Sequence, residues 1–418
     1  MAVAGQFFGP GNELDAWLIA FLAPSFLSDA FAGALNPILV PLLVPGHRDP
    51  ERASAYAPAL YLSFALLTAL AAALYLCASP ALRLMASGFT PEKAALTRSL
   101  LALTLPILPL SAIAVTWRSV LNAHERFALA AVSPLMTPVV TICILAATAR
   151  RVGVFALAAG TTAGMLAELT VLAFALRSLG VLPIPRWPRA FRWNRATTRQ
   201  YCSVVAGNLV FGGSSLVDQA FAAMLAAGSV SVLGFGTRLP NVLLAIGSAA
   251  LATAVFPRLS LLARRGDRAG FRRTLLGSIG WGTALTLPLI AALIWLSEPI
   301  TRILFQRGAF TAAATASVSS VQQIALLQLP VAVAVAILTR AVASLRANEA
   351  LLPIAAIALA ANAGLDLALM HFFGLSGIAL STTAVQAVVA VLLGAAVFRR
   401  AGDTIQTNDG HGPAALTR

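Results

Sequence analysis

Runs of twenty or more apolar residues, set apart by short basic or Gly- and Pro-containing breaks, fill almost the whole chain. A bilayer core about 30 Å thick takes roughly 20 apolar residues per helix. With no water to meet backbone polar groups there, a chain built of such runs spans as helices. Eleven spans are expected, near 14–44, 56–78, 96–121, 127–148, 153–176, 203–225, 231–256, 275–297, 321–343, 351–371 and 377–398. Of the 418 residues, 59% are hydrophobic and 11% charged. Soluble domains run at about 45–50% and about 25%. A soluble enzyme, a disordered chain and a nucleic-acid-binding domain are excluded, because the net charge of +14 sits in clusters between the apolar runs. Cys77, Cys143 and Cys202 are odd in number and far apart, offering no metal pair or disulfide framework, and are expected to be buried small hydrophobes.

The basic residues set the orientation. Of 29 Lys and Arg, 21 fall on one set of loops and ends, among them Arg177, Arg186, Arg189, Arg192, Arg195 and Arg199, and Arg258 through Arg273. Seven fall on the other set: Arg83, Lys93, Arg98, Arg150, Arg151, Arg302 and Arg307. The positive-inside rule then makes the C-terminus cytoplasmic. No signal peptide is visible in residues 1–13.

An internal repeat appears at an offset of about 216–224 residues, carried by punctuation more than identity. Pro24 and Pro41 bracket one 17-residue interval, Pro240 and Pro257 another. SPALRLMASGFT (79–90) echoes SEPITRILFQRGAFT (297–311), and GVFALAAGTT (153–162) echoes GIALSTT (377–383). Parallel repeats of this kind build two lobes about an axis along the membrane normal. The lobes are expected at 1–178 and 203–398, joined by a basic cytoplasmic linker at 179–202 and followed by a tail at 399–418. The partner of span 203–225 would lie near positions −13 to 9, so FFGPGN (7–12) reads as the tail of a first helix otherwise absent, and restoring it gives twelve spans.

Signatures for nucleotide phosphates, zinc proteolysis, the nucleophile elbow or dinucleotides are absent, so neither an enzyme nor ATP-driven transport by this chain alone is expected. Charges within spans are costly and face a cavity or a partner. Asp15, Asp29, Glu168, Asp218, Arg238 and Asp366 are such charges, and nothing beside Glu168 suggests its partner. Asn362 and Asp366 share a helix face by their i,i+4 spacing. With Asp218 and Thr382 they offer hard oxygen donors suited to an alkali or alkaline-earth cation, or else a plain polar contact. Arg238 stands where the repeat places Leu22, and either clamps a phosphate bidentately or pairs with Asp15, Asp29 or Asp218. Pro24, Pro37 and Pro41 on one span, and Pro106 and Pro109 on another, predict kinks.

ELDAWLIAFLAPSFL (13–27), SLVDQAFAAMLAAGSVSVLGFGTRLPNVLL (215–244) with AVFPRLS (254–260), and LFQRGAFTAAAT (304–315) together resemble the MurJ (MviN) family of lipid II flippases. That family belongs to the superfamily of multidrug-extrusion (MATE) and polysaccharide exporters. The resemblance implies an all-α, two-lobed MOP/MATE-like inner-membrane transporter that moves a polyprenyl-pyrophosphate-linked saccharide outward by alternating access. It places Arg238 in the substrate cavity and matches Asp15 to the aspartate opening the family's second helix, and these two, with Ser28 and Asp29, are the expected substrate-binding residues. It also places Asp218, Asn362, Asp366 and Thr382, with the Ile378 carbonyl, on the pattern of a sodium site, sodium being the coupling ion and no other cofactor being implied.

The chain departs from the family where an arginine pair is usual and Ser28 and Asp29 stand instead, and again at Gly33 and Ala34. A cavity with fewer arginines and an added carboxylate binds pyrophosphate less well. The leading expectation is a lipid II flippase acting as a monomer among membrane lipids. The alternatives are a paralogue for another lipid-linked glycan, such as an exopolysaccharide or O-antigen unit, and a cation-coupled drug antiporter.

Overall fold

The computed structural model describes residues 1–44, 55–185, 187, 195–345 and 347–406. Arg48, Arg52, Arg186, Arg189, Arg192, Arg346 and Arg418 lie outside the described residues, as do His47 and His411.

Among the described residues the regular structure is helical. The first half comprises α1 (Ala2–Phe8), α2 (Asn12–Leu27), α3 (Asn36–Leu43), α4 (Tyr56–Leu76), α5 (Ala78–Met85), α6 (Pro91–Thr104), α7 (Ile107–Ala123), α8 (Phe127–Val132), α9 (Met136–Val152) and α10 (Phe155–Ser178). The second comprises α11 (Arg195–Ala223), α12 (Ser229–Gly236), α13 (Arg238–Arg265), α14 (Arg268–Trp295), α15 (Ser297–Phe305), α16 (Ala312–Leu326), α17 (Leu329–Ser344), α18 (Leu351–Phe373) and α19 (Leu375–Gln406). Among the described residues, nine helices or continuous helix pairs are long and apolar enough to cross a membrane, or ten if α16 and α17, bent by 42°, make one span. The remaining expected span, 203–225, lies in α11, a continuous helix made too polar for that measure by residues such as Arg195, Arg199, Asn208 and Asp218.

The chain divides into two compact units, Met1–Ser231 with Arg307–Phe310, and Val232–Gln306 with Thr311–Arg418. The grouping differs from lobes at 1–178 and 203–398, because α11 packs on the first unit. Tyr201 Oη donates to the Phe31 carbonyl (3.0 Å), and Asn208 Nδ2 to that of Ala30 (3.2 Å). Those carbonyls belong to a π-helical turn at Ser28–Ala32, followed by a 3-10 turn at Gly33–Leu35. The π turn lies between Pro24 and Pro37, so the span in which the prolines predict a kink is interrupted by a widened turn.

The first unit's core gathers Tyr56, Leu60, Trp117, Leu121, Leu172 and Leu176. Tyr56 Oη (2.8 Å) and Trp117 Nε1 (3.1 Å) both donate to the Pro183 carbonyl, pinning the start of the linker. Helices α9 and α10 meet through a GxxxG face, Gly160 and Gly164. A Cβ on Gly164 would lie 2.6 Å from the Thr137 carbonyl oxygen, so only glycine permits this approach. The second unit's core gathers Leu259, Phe271, Leu275, Ile337, Val342 and Leu393. Its α14 instead presents Trp281 and Trp295, each 81% exposed, a surface for lipid and not for water.

The repeat is visible in the caps. Thr90 Oγ1 accepts from Lys93 N at the start of α6, and Thr311 Oγ1 accepts from Ala314 N at the start of α16. Gly153 (φ 60°, ψ −143°) and Gly374 (φ 57°, ψ −133°) close α9 and α18 in the same left-sided conformation. The counterpart of Gly153 is therefore Gly374, three residues before the Gly377 that the sequence echo suggests. The cysteines correct a second expectation: all three are free and exposed, since an apolar run does not reveal which of its residues face lipid.

Candidate functional site

Asp15 sits in the first turn of α2, where the helix dipole favours a carboxylate, and is 1% exposed. Its Oδ2 accepts from Lys93 Nζ (2.9 Å) on α6 and from the Gly228 backbone N–H (2.7 Å). Oδ1 accepts from the Ser231 N–H (2.8 Å), in the opening turn of α12. Ser231 Oγ in turn donates to the Gly228 carbonyl (2.9 Å). Gly228 holds φ at 92°, a conformation that glycine adopts without strain. Lys93 is 8% exposed, and its ammonium lies 3.9 Å from the centre of the Phe89 ring. The carboxylate thus has one full counter-charge and two backbone donors, which is how a buried charge becomes tolerable.

Close by, the turn at 307–310 is tied to α1. Ala309 N donates to the Gln6 carbonyl (2.8 Å), and a Cβ on Gly308 would lie 2.3 Å from that same oxygen. With the Asp15 cluster, this binds α1, α2, α6, the approach to α12 and the turn at 307–310 into one corner of the first unit.

Glu168 corrects the sequence reading. It is 3% exposed on α10 and has a partner after all: Arg118 Nη1 on α7 donates to its Oε1 (2.7 Å), and Thr137 Oγ1 on α9 donates to its Oε2 (3.3 Å). The pair spans 50 residues, so no local pattern announces it.

In the second unit α18 and α19 bring Asn362, Asp366, Ile378 and Thr382 together. Asn362 Nδ2 donates to Asp366 Oδ2 (3.1 Å), and Thr382 Oγ1 donates to the Ile378 carbonyl (3.2 Å). Ser381, which the sequence reading missed in favour of its neighbour, donates both to Asp366 Oδ1 and to the Ile378 carbonyl. Asp366, Ile378 and Ser381 are wholly buried, and Asn362 is 1% exposed. Asp218, the remaining member of the expected ligand set, lies on α11 in the first unit.

Arg238 opens α13 in the second unit and is exposed. Ion pairs among the described residues include Asp15–Lys93, Glu168–Arg118, Arg302–Glu298 and Arg400–Glu349, and Arg238 is in none of these four. Ser28 and Asp29 begin the π turn in the first unit, with Asp29 exposed and its carbonyl accepting from Asn208 Nδ2 (3.3 Å).

The family model described as lipid II flippase MurJ matches residues 4–409. A "Probable lipid II flippase MurJ" of Rhizobium meliloti (strain 1021) is 28% identical over 411 residues, covering 94% of this chain and 75% of that protein. One of the same description from Thermotoga maritima is 30% identical over 319 residues, covering 74% of this chain and 62% of that protein. Among solved structures, a lipid II flippase MurJ in an inward closed conformation matches with a TM-score of 0.79 at 21% identity, over 97% of this chain and 86% of that one. An inward-facing multidrug resistance MATE family transporter of the MOP superfamily matches with a TM-score of 0.82 at 15% identity, over 99% and 95%. At these identities the structural likeness establishes the fold alone, which is all-helical as expected.

Proposed function

Since the chain belongs to the MurJ family of lipid II flippases, we propose that it carries a polyprenyl-pyrophosphate-linked saccharide, lipid II in the first instance, from the inner to the outer leaflet of the bacterial cytoplasmic membrane. The observation that carries this reading is the family match over residues 4–409, joined to a fold without the signatures of chemical catalysis. The protein breaks no bond: it works as a monomer, by alternating access, with its C-terminus in the cytoplasm.

Arg238 takes the pyrophosphate, its planar fork matching two phosphate oxygens. Ser28 and Asp29, opening the π turn after α2, stand where the family's arginine pair would and attract a pyrophosphate more weakly than that pair. Asp15 acts as a latch and not as a contact to the substrate, because Lys93, Gly228 and Ser231 already engage its oxygens. Opening the corner it holds requires those hydrogen bonds to break together.

A sodium ion fits the second-unit cluster by donor chemistry. Asp366, Asn362, the Ile378 carbonyl and Thr382 are all oxygen-bearing, as a hard cation requires, and Ser381 adds a hydroxyl. Bound there, the ion would supply the gradient's free energy. The chain's own part is to keep Asp366 buried and oriented by Ser381 and Asn362.

Complementation tests the reading. In a bacterium depleted of its own lipid II flippase, this chain is expected to restore growth, and Arg238→Ala is expected to abolish the rescue at equal expression. Absence of rescue by well-expressed protein would sink the lipid II assignment. The departure at Ser28 and Asp29 favours the second reading, another lipid-linked glycan; rescue gained by Ser28→Arg with Asp29→Arg would identify that departure as the cause.

A further inference from the structure

Next to the Asp15 latch, in the first unit, a cleft of about 440 Å³ lies between α5 and α6. Its polar lining is Ser79, Arg83, Ser87 and Arg98, and Phe89 with small apolar residues forms the rest. The volume falls in the range of small-molecule sites, about 300–1,000 Å³. Both arginines are exposed, and neither belongs to an ion pair among the described residues. Lys93, one turn before Arg98, is committed inward to Asp15 and covered by the Phe89 ring.

The repeat supplies the control. Helix α15 corresponds to α5, and its Arg302 is held by Glu298 four residues earlier (2.7 Å). Four residues before Arg83 stands Ser79, so the first unit leaves its arginine unneutralised. Counting from the threonine caps of α6 and α16, the places of Lys93 and Arg98 are taken by Ala314 and Ser319. The basic corner is therefore a property of one half only. It also stands on the face where the positive-inside bias removes Lys and Arg, so topology does not account for it.

We propose that this cleft binds the phosphate of a lipid headgroup at the outer surface of the membrane. Two guanidinium forks and two serine hydroxyls are donors without a built-in acceptor charge, the combination that recognises phosphate oxygens. Helix α5 is short and strongly amphipathic, with Arg83 on its polar side, as befits an element lying at the headgroup level. The same chemistry belongs to an anionic phospholipid and to a polyprenyl pyrophosphate newly arrived in the outer leaflet. The proposal does not require the flipping reaction, and binding by purified protein reads it out independently of orientation.

The test uses the full chain in nanodiscs of zwitterionic lipid, titrated with phosphatidylglycerol or with undecaprenyl pyrophosphate and read by native mass spectrometry. The expected result is at least tenfold weaker binding of one or both lipids by Arg83→Gln with Arg98→Gln, while Arg302→Gln matches the parent. Arg83→Lys with Arg98→Lys is expected to fall between, separating fork geometry from charge. A preference for undecaprenyl pyrophosphate, relieved by inorganic pyrophosphate, identifies the substrate as occupant; equal binding of both lipids identifies bulk phospholipid. Identical titrations of the parent and the double Gln variant, both monodisperse and helical, would overturn the site.

Discussion

Asp15 in the first unit and Asp366 in the second are both buried carboxylates, and the two are treated differently. Asp15 in the first unit has a counter-charge built into the chain, the Lys93 ammonium, and two backbone N–H groups from one turn. Asp366 in the second unit receives a hydroxyl from Ser381 and an amide from Asn362, beside the Ile378 carbonyl and the Thr382 hydroxyl. A carboxylate closed by its own lysine is a fixed fastening. The set of hydroxyls, an amide and a carbonyl around Asp366 is where we place the proposed sodium ion.

The largest expected effect comes from breaking the fastening alone. Lys93→Met leaves Asp15 buried without its cation and is expected to cost about 3–5 kcal/mol, seen as a lower thermal midpoint in detergent. Pairing it with Asp15→Leu should recover most of that loss; an unchanged midpoint in the single variant would mean that the ion pair does not hold the corner.

Next comes the mobile-cation side. At sodium near one hundred times its dissociation constant the parent is expected to gain about 2.7 kcal/mol of stability. Asp366→Asn keeps the shape and should lose the sodium-dependent rise in thermal midpoint, whereas Lys93→Met with Asp15→Leu should keep it. Equal sodium responses in parent and Asp366→Asn would remove the contrast between the two carboxylates.

The close-packed face of the first unit is the third lever. Gly164→Val drives a side chain into the Thr137 backbone and is expected to cost about 1–3 kcal/mol in unfolding experiments. The smallest effect is expected at the exposed Arg302–Glu298 pair, where Glu298→Gln should shift stability by only about 0.3–0.5 kcal/mol. A larger loss there would show that the second-half arginine is anchored more firmly than an exposed i,i+4 pair allows.

The sequence disclosed the spans, the basic bias and the proline breaks because hydropathy and proline act locally. The i,i+4 spacing put Asn362 and Asp366 on one helix face, with Thr382 offering a further oxygen from the next helix, whereas the Ile378 carbonyl entered only through the family resemblance. The sequence did not disclose what lies across the fold. Lys93 reaches Asp15 over 78 residues, and Gly228 and Ser231 meet that carboxylate through backbone N–H groups, which every residue but proline carries. Ser381 escaped because adjacent positions on a helix point about 100° apart, and sequence spacing alone did not decide between it and Thr382. The packing of α11 on the first unit escaped too, for it rests on side chains meeting carbonyls freed by an irregular turn.

That turn bears on how this chain is compared with others. A π turn holds one residue more than the α turn it replaces, and the tighter 3-10 turn at Gly33–Leu35 takes back part of that rotation, so the residues beyond Leu35 do not follow the numbering of an uninterrupted helix. Aligning Asn36 and Leu39 by number with residues of a regular helix therefore pairs side chains that are out of register. Deleting one residue between 28 and 32 would restore the regular winding and turn α3 about its own axis, moving Asn36 and Leu39 without altering either of them.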